Sequence, residues 1–212
     1  MKKLLTIITT LTLMLSAQAQ QAKDYFTSMP DTILPILTEV NRADCIDFLD
    51  SNMKAEVTNR FSGKSEMTKL TADFIEMRLT PSATWQMKVL QAAETPLVCA
   101  VSTVSAPAAD SHILFYDDDW NQLSATDYLS EMPQIDDFFT TIPDSVNLNR
   151  YLFYRSRVDV PLMKAVLSPD AQTLSFSLST IGTLDRETVD FLQPFVRKEI
   201  VYQWNGARFV KP

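Results

Sequence analysis

One stretch of this chain, Thr84–Leu123, constrains the fold more than any other, because it predicts three consecutive β-strands. The predicted strands are Thr84–Gln91, Pro96–Val104 and His112–Asp117. In the middle strand the side chains alternate between two faces, which is the period of two expected of a strand. One face would hold Leu97, Cys99 and Val101, and the other Val98, Ala100 and Ser102. We expect this stretch to form the centre of an antiparallel sheet.

The residues before this stretch predict helices first and strands second. The predicted helices are Asp24–Met29, Ile33–Val40 and Ala43–Met53, and the predicted strands are Ala55–Phe61, Ser65–Leu70 and Phe74–Leu79. Helices that precede a run of antiparallel strands are typical of α+β proteins, in which the helices cover one face of the sheet. The sequence therefore predicts an α+β fold with N-terminal helices followed by an antiparallel meander.

The second half of the chain repeats short patterns of the first half in the same order. The matched pairs are Asp24–Pro30 with Asp127–Pro133, Met87–Leu90 with Met163–Leu167, Leu97–Val104 with Leu174–Ile181, and Ile113–Tyr116 with Ile200–Tyr202. A duplication predicts two related subdomains, residues 20–123 and a shorter copy at 124–212, with an extra helix at Arg186–Leu192 in the second. Independent convergence on common strand patterns is the alternative.

The N-terminus predicts a cleaved signal peptide over residues 1–19. Lys2 and Lys3 precede the apolar run Leu4–Leu15, and Ala17 and Ala19 occupy the positions that a signal peptidase reads. The apolar run is shorter than the roughly 20 residues needed to span a bilayer. We therefore expect a periplasmic or secreted protein that is not inserted in a membrane after cleavage.

Composition argues against several classes of function. The net charge is −7, and removing Lys2 and Lys3 leaves 17 basic and 26 acidic residues, or −9. An acidic chain without a basic cluster is a poor match for nucleic acid. The chain has three glycines, which argues against a glycine-rich phosphate loop, and one histidine with two cysteines, which argues against zinc. We expect no metal site and no cofactor.

Cys45 and Cys99 leave two interpretations open in an exported chain. A disulfide between them would join an N-terminal helix to the central strand. Alternatively, each thiol is buried separately on the apolar face of its own element. Their spacing in the sequence does not decide between these interpretations.

The turn after the predicted strand at His112–Asp117 is the strongest candidate for a ligand site. The candidate residues are Tyr116, Asp117, Asp119, Trp120 and Asn121. Carboxylate and amide oxygens at this spacing resemble part of a calcium loop, and an exposed tryptophan could stack on a sugar ring. The alternative is a structural turn rich in Asp and Asn, with the tryptophan in the core.

Several motifs spread along the chain resemble a family of exported Bacteroidales proteins of unknown function. They are Phe26-x-x-Met29-Pro30, Leu34-Pro35-Ile36-Leu37, Asp44–Phe48, and Ser111-x-Ile113-x-Phe115-Tyr116-Asp117 with Trp120. The resemblance covers nearly all of the chain after the signal segment. It implies an exported protein and supplies no activity, since these motifs are structural in character.

No motif in the sequence identifies a catalytic residue. His112 is the one histidine, and its neighbour Ser111 would point to the opposite face of a strand, so a Ser–His pair is not indicated. We therefore expect a binding or scaffolding protein of the periplasm or cell surface, with a protein, peptide or glycan as ligand. The alternative is a hydrolase that acts on glycan or peptide through a pair of carboxylates.

Overall fold

The architecture comes from a computed structural model that describes residues 21–92 and 95–212. These residues form two antiparallel sheets, with helices before the large sheet, between the two sheets and between strands of the small sheet. The predicted signal peptide, residues 1–19, lies outside the described residues. In the part of the chain that is described, every helix is too short or too polar to cross a membrane.

The large sheet is a meander of seven antiparallel strands that are neighbours in chain order. Its strands are β1 Glu56–Thr58, β2 Lys64–Leu70, β3 Phe74–Thr80, β4 Ala83–Leu90, β5 Leu97–Ser105, β6 Ala109–Tyr116 and β7 Gln122–Leu123. The predicted meander is therefore confirmed. Strand β1 is shorter than predicted, because Asn59 starts a turn in which its Oδ1 accepts hydrogen bonds from the N–H groups of Phe61 and Gly63.

Two helices, α1 Ala22–Ser28 and α2 Glu39–Asp50, cover one face of the large sheet. The predicted helix over Ile33–Val40 is wrong, since residues 31–37 form turns. Pro35 disfavours helical geometry at the residue before it. The Thr38 hydroxyl accepts a hydrogen bond from Asn41 N–H, so this residue caps α2 and does not continue an earlier helix.

The two faces of β5 belong to two different cores, as its alternation predicts. Leu97, Cys99 and Val101 lie in the core between the two sheets. Val98 and Ala100 lie in the core beneath α1 and α2. Residues 97–101 of this strand are therefore all buried, on one side or the other, which makes it the centre of the fold.

The small sheet is a second antiparallel meander, ordered β11-β10-β9-β8. Its strands are β8 Met163–Leu167, β9 Thr173–Leu178, β10 Ile200–Trp204 and β11 Phe209–Val210. The helices of this half are α3 Ala125–Tyr128, α4 Leu148–Arg155 and α5 Arg186–Leu192, with short 3₁₀ turns at Ile135–Phe138, Ser179–Thr183 and Gln193–Phe195. The fold is α+β, as predicted.

The two sheets share one hydrophobic core. Leu90 and Phe115 of the large sheet belong to the same buried cluster as Phe176 and Tyr202 of the small sheet. Strands β8 to β11 follow one another in the same antiparallel order as β4 to β7. The division into subdomains 20–123 and 124–212, and their origin by duplication, stay predictions.

Candidate functional site

The predicted ligand turn contains a tryptophan that is part of the core. Trp120 is 7% exposed, and its ring packs against the rings of Tyr116 and Tyr25 at centroid distances of 5.3 and 6.4 Å. Its indole N–H is buried without a hydrogen-bond partner among the described residues. The interpretation that Trp120 stacks on a sugar ring is therefore wrong for this arrangement, because neither face of the ring is open.

The Asp117 carboxylate is occupied by its own turn. Its Oδ1 accepts hydrogen bonds from the N–H groups of Asp119 and Asn121 at 3.0 and 2.8 Å, and its Oδ2 accepts one from Asn121 Nδ2 at 2.9 Å. These hydrogen bonds lower the pKa of Asp117, and the bond from the Asn121 side chain has the largest effect. The same bonds hold Trp120 at a positive φ of 64°. The Asp117 carboxylate therefore has a structural role in its own turn.

The five candidate residues converge on a turn and not on a pocket. Tyr116 is buried beside Trp120, while Asp119 and Asn121 are exposed. Asp117 borders an open cavity of about 380 Å³ together with Leu97 and other residues. Ligand binding at this turn stays a prediction, and the described residues contain no group of three or more His, Cys, Asp or Glu arranged to hold a metal ion.

The two cysteines are free thiols on opposite faces of the large sheet, so the suggested disulfide is wrong for this structure. Cys45 lies in the core beneath the helices and Cys99 in the core between the sheets. The sheet itself separates the two sulfurs. Burial raises the pKa of Cys45 to about 11 and also raises that of Cys99.

One pair of carboxylates lies close together at a cavity, as a two-acid hydrolase would require. Glu56 and Glu66 are opposite each other in β1 and β2 and line a cavity of about 300 Å³. Lys54 donates to Glu56 at 2.6 Å and Arg78 donates to Glu66 at 3.0 Å. The hydrogen bond from Lys54 lowers the pKa of Glu56. A general acid needs a raised pKa, so the lowered pKa of Glu56 does not suit this carboxyl to that role.

The edge strand of the small sheet is capped by side chains, whereas part of an edge of the large sheet is open. This difference indicates a better candidate site. Strand β8 is an edge of the small sheet, and its outward N–H groups are all capped by side chains of the large sheet. Met163 N–H donates to Asp110 at 3.2 Å, Ala165 N–H to Ser111 at 2.9 Å, and Leu167 N–H to Gln86 at 3.0 Å. Capping of this kind protects an edge from pairing with another chain.

Strand β6 has an open edge over its first six residues. Asp117 N–H donates to the Asn121 carbonyl on the β7 side. Because alternate residues of an antiparallel strand point their N–H and C=O the same way, Ile113 and Ser111 also point to that side. Strand β7 pairs with Phe115 and Tyr116 and then ends. In the described part of the chain, the outward backbone groups of Ser111 and Ile113 therefore have no strand partner.

A groove of about 330 Å³ runs along this open edge. Ser111, His112 and Ile113 form one wall, and Ala125, Thr126 and residues 129–132 form the other. The exposed surface of these walls is mostly apolar, with Ile113 and Leu129 buried at the base and Met132 at 44% exposure on the rim. The groove lies where β7 would run if it were longer, so we define these residues as the β6 groove.

Charges on the far wall of the β6 groove are held in ion pairs. Lys211 Nζ lies 2.9 Å from Glu131 and 2.7 Å from Asp137. The hydrogen bonds that Lys211 donates to Asp137 and Glu131 raise the pKa of Lys211. Asp137 has a lowered pKa, chiefly because Lys211 donates to it. This network ties Glu131 of the far wall to Lys211, which directly follows β11.

Sequence reasoning missed this site because it weighed Ser111 and His112 as a catalytic pair. The structure instead places their backbone at an open edge. The sequence carried a partial signal, since only Gln122 and Leu123 separate the Asp117–Asn121 turn from Ser124, which leaves room for a two-residue strand beside the eight-residue β6. Unequal lengths of neighbouring strands leave part of the longer one unpaired.

Fold and groove together define a class: an α+β protein of two packed antiparallel meanders in which strand β6 keeps an open edge. The chain belongs to the family described as "Protein of unknown function (DUF3256)", whose model matches residues 14–209. It is similar to a solved domain of an uncharacterized protein from Porphyromonas gingivalis W83, with 26% identity and a TM-score of 0.75. That similarity covers 90% of this chain and 96% of the solved chain. These matches confirm the predicted resemblance to a Bacteroidales family of unknown function, and no curated protein matches.

Proposed function

We propose that this protein is an exported binding protein that takes up an extended polypeptide segment along the β6 groove. The observation that carries the proposal is the uncapped edge of β6 beside an apolar groove, in a fold that caps its β8 edge with three side chains. An extended peptide can add a strand to such an edge, where backbone hydrogen bonds give affinity and side-chain pockets give specificity.

The bound segment would complete the hydrogen bonding of β6. Ser111 and Ile113 each offer one outward N–H donor and one outward C=O acceptor. Each backbone hydrogen bond that a ligand makes contributes about 0.5–1.5 kcal/mol net. Contacts with the apolar walls add to this, because they remove apolar surface of both molecules from water.

Export is supported by the N-terminal segment, in which Lys2 and Lys3 precede an apolar run and Ala17 and Ala19 follow it. A periplasmic or cell-surface protein of this kind would meet extended segments of other exported proteins. Mass spectrometry of the protein from its native host tests this part of the proposal. An N-terminus at Gln20 supports export, and a protein that retains residues 1–19 in the cytoplasm contradicts it.

A glycan ligand and a two-acid hydrolase activity have less support. A glycan site would use exposed aromatic rings, but the Trp120 ring is in the core. A two-acid hydrolase would use a raised carboxyl pKa, but Glu56 has a lowered one. The extended polypeptide is favoured because its main chain complements the open edge directly.

Selection from a library of random linear peptides tests the proposal. We expect selected peptides to slow hydrogen exchange at the amides of Ser111 and Ile113, because these become hydrogen-bonded. The amide of Leu114 serves as an internal control, since it faces β5. Selected peptides that leave the exchange of Ser111 and Ile113 unchanged would contradict the proposal.

A matched pair of variants separates backbone pairing from packing. The substitution Ile113→Pro removes the outward N–H and should abolish binding, and proline is tolerated on edge strands. The substitution Ile113→Val keeps the N–H and should retain binding. Thermal unfolding of both variants checks that each is folded. Equal affinity of the two variants for a selected peptide would overturn the strand-addition geometry.

A further inference from the structure

We infer that the β6 groove selects an aliphatic side chain at one position of the bound segment, the residue opposite Ile113. This inference rests on the proposed function and names the class of polypeptide that the site takes. Residues opposite each other in neighbouring strands place their side chains on the same face of the sheet. The ligand residue opposite Ile113 would therefore point to the side on which Ile113 itself points.

The side of the sheet on which Ile113 points is the side of the shared core. Ile113 is 8% exposed and belongs to the cluster between the sheets, as do its neighbours Val101 and Phe115. Leu129, at 5% exposure, is in the same cluster, and Ala125 packs against it. A ligand side chain at this position would extend the hydrophobic core and replace water at its edge.

The walls offer a charged ligand side chain little compensation at that position. Among the groove residues that the structure describes, Glu131 carries the carboxylate, and Lys211 already lies 2.9 Å from it. Burying a charge or a polar group without a partner is costly. The groove volume of about 330 Å³ is near the lower end of the roughly 300–1,000 Å³ of ligand pockets, which suits one or two side chains.

The ligand residues on either side of the selected position would meet a different environment. Their side chains point to the face that carries His112, which is exposed at this end of the strand. These positions should accept many residue types. The expected recognition pattern is therefore one aliphatic residue between two unselected ones.

A peptide series tests the inference. The probe is the tightest peptide from the random library, and its contact position is the residue that shows nuclear Overhauser effects to the Ile113 methyl groups. Versions with Leu, Ala, Lys and Asp at this position are compared by isothermal titration calorimetry. We expect Ala to bind about 10- to 100-fold more weakly than Leu, as the loss of a buried aliphatic side chain implies. Lys and Asp should bind at least as weakly as Ala.

A cavity-filling variant supplies the complementary test. Ala125→Phe should weaken the Leu peptide at least tenfold and leave the Ala peptide nearly unchanged, because it fills the space that the Leu side chain needs. Ala125→Leu is a milder version, used if Ala125→Phe does not fold. The matched control is Ala207→Phe, which enlarges a residue at a different cavity and should change neither affinity.

The outcomes separate this inference from the proposed function. If peptides protect the Ser111 and Ile113 amides but Leu, Ala, Lys and Asp bind equally, the aliphatic selection is wrong and strand addition stands. Preference for Lys with loss on Glu131→Gln would assign a cationic site and also overturn the inference. If no selected peptide protects these amides, the proposed function itself is wrong.

Discussion

Arg42 offers the sharpest test of how this chain holds its N-terminal segment on the large sheet. Its side chain is 1% exposed and lies between α2 and the preceding turns. Nε donates to the Phe26 carbonyl at 2.8 Å, and Nη1 donates to Asp31 at 2.9 Å and to the Leu37 carbonyl at 3.2 Å. Nη2 donates to the Met29 carbonyl. One guanidinium therefore satisfies three main-chain carbonyls and one carboxylate.

Replacing Arg42 with Met keeps an unbranched apolar side chain and removes every one of these donors. Three main-chain carbonyls then lose their charged donor, and each one that stays dry costs about 1–3 kcal/mol. These losses are not summed in full, because the freed carbonyls at the turn can be rehydrated in part and Asp31 keeps Arg60 as a partner. We therefore expect Arg42→Met to lower the free energy of unfolding by about 3–5 kcal/mol. For a chain of this size that corresponds to a fall in Tm of roughly 6–20 °C.

Urea unfolding followed by tryptophan fluorescence measures this change, because Trp85 and Trp120 lie in the core beneath the helices. Arg42→Lys keeps the charge and loses the fork of donors, so its loss should be intermediate. Arg60→Ala is the matched control, because it removes the other partner of Asp31. The Arg60 side chain is 44% exposed, so its ion pair should contribute at most about 1 kcal/mol. A loss below about 1 kcal/mol for Arg42→Met would refute the reasoning.

Three further predictions follow from buried or paired groups. Gln86→Ala should lower stability by about 1–3 kcal/mol and speed exchange of the β8 amide that Gln86 caps; unchanged exchange would contradict this. The hydrogen bond from Lys211 is the main cause of the lowered pKa of Asp137. The ionised carboxylate therefore stabilises the fold at pH values above the ordinary aspartate pKa of about 3.9, and this contribution is lost as the pH falls through the lowered pKa. Asp137→Asn should therefore flatten the acid side of the stability–pH curve, and a curve of unchanged slope would count against it. Cys45 and Cys99 should not react with Ellman's reagent in the folded protein at about pH 8, and both should react in urea. Rapid reaction without urea would show that burial does not protect them.

Elements with strong local signals could be predicted from the sequence. Helix α5 spans Arg186–Leu192 as predicted, because Asp185 caps it and an N-terminal cap is a local signal in the sequence. Strand β5 follows its alternation, because burial on both faces over residues 97–101 needs an apolar residue at each of these positions. The helix over Ile33–Val40 failed because Pro35 and the capping residue Thr38 outweighed the apolar spacing.

The candidate site depends on contacts between distant segments, which local sequence patterns do not reveal. The turn at Asp117 was recognised correctly as a turn, but burial of Trp120 depends on Tyr25, which lies far away in the sequence. The β6 groove is formed by Ser111 to Ile113 and by residues 125–132, and their approach depends on how β11 holds Leu129. Neither relation is encoded in the spacing of neighbouring residues.

The sequence by itself determined the α+β class, the order of helices and strands, and the two faces of the central strand. These follow from side-chain periodicity and capping, which act over a few residues. Only the tertiary structure decided that Cys45 and Cys99 lie on opposite sides of a sheet, that side chains cap β8, and that β6 keeps an open edge. These depend on which distant segments pack together, and that is set by the total burial of apolar surface and the pairing of buried polar groups over the whole chain.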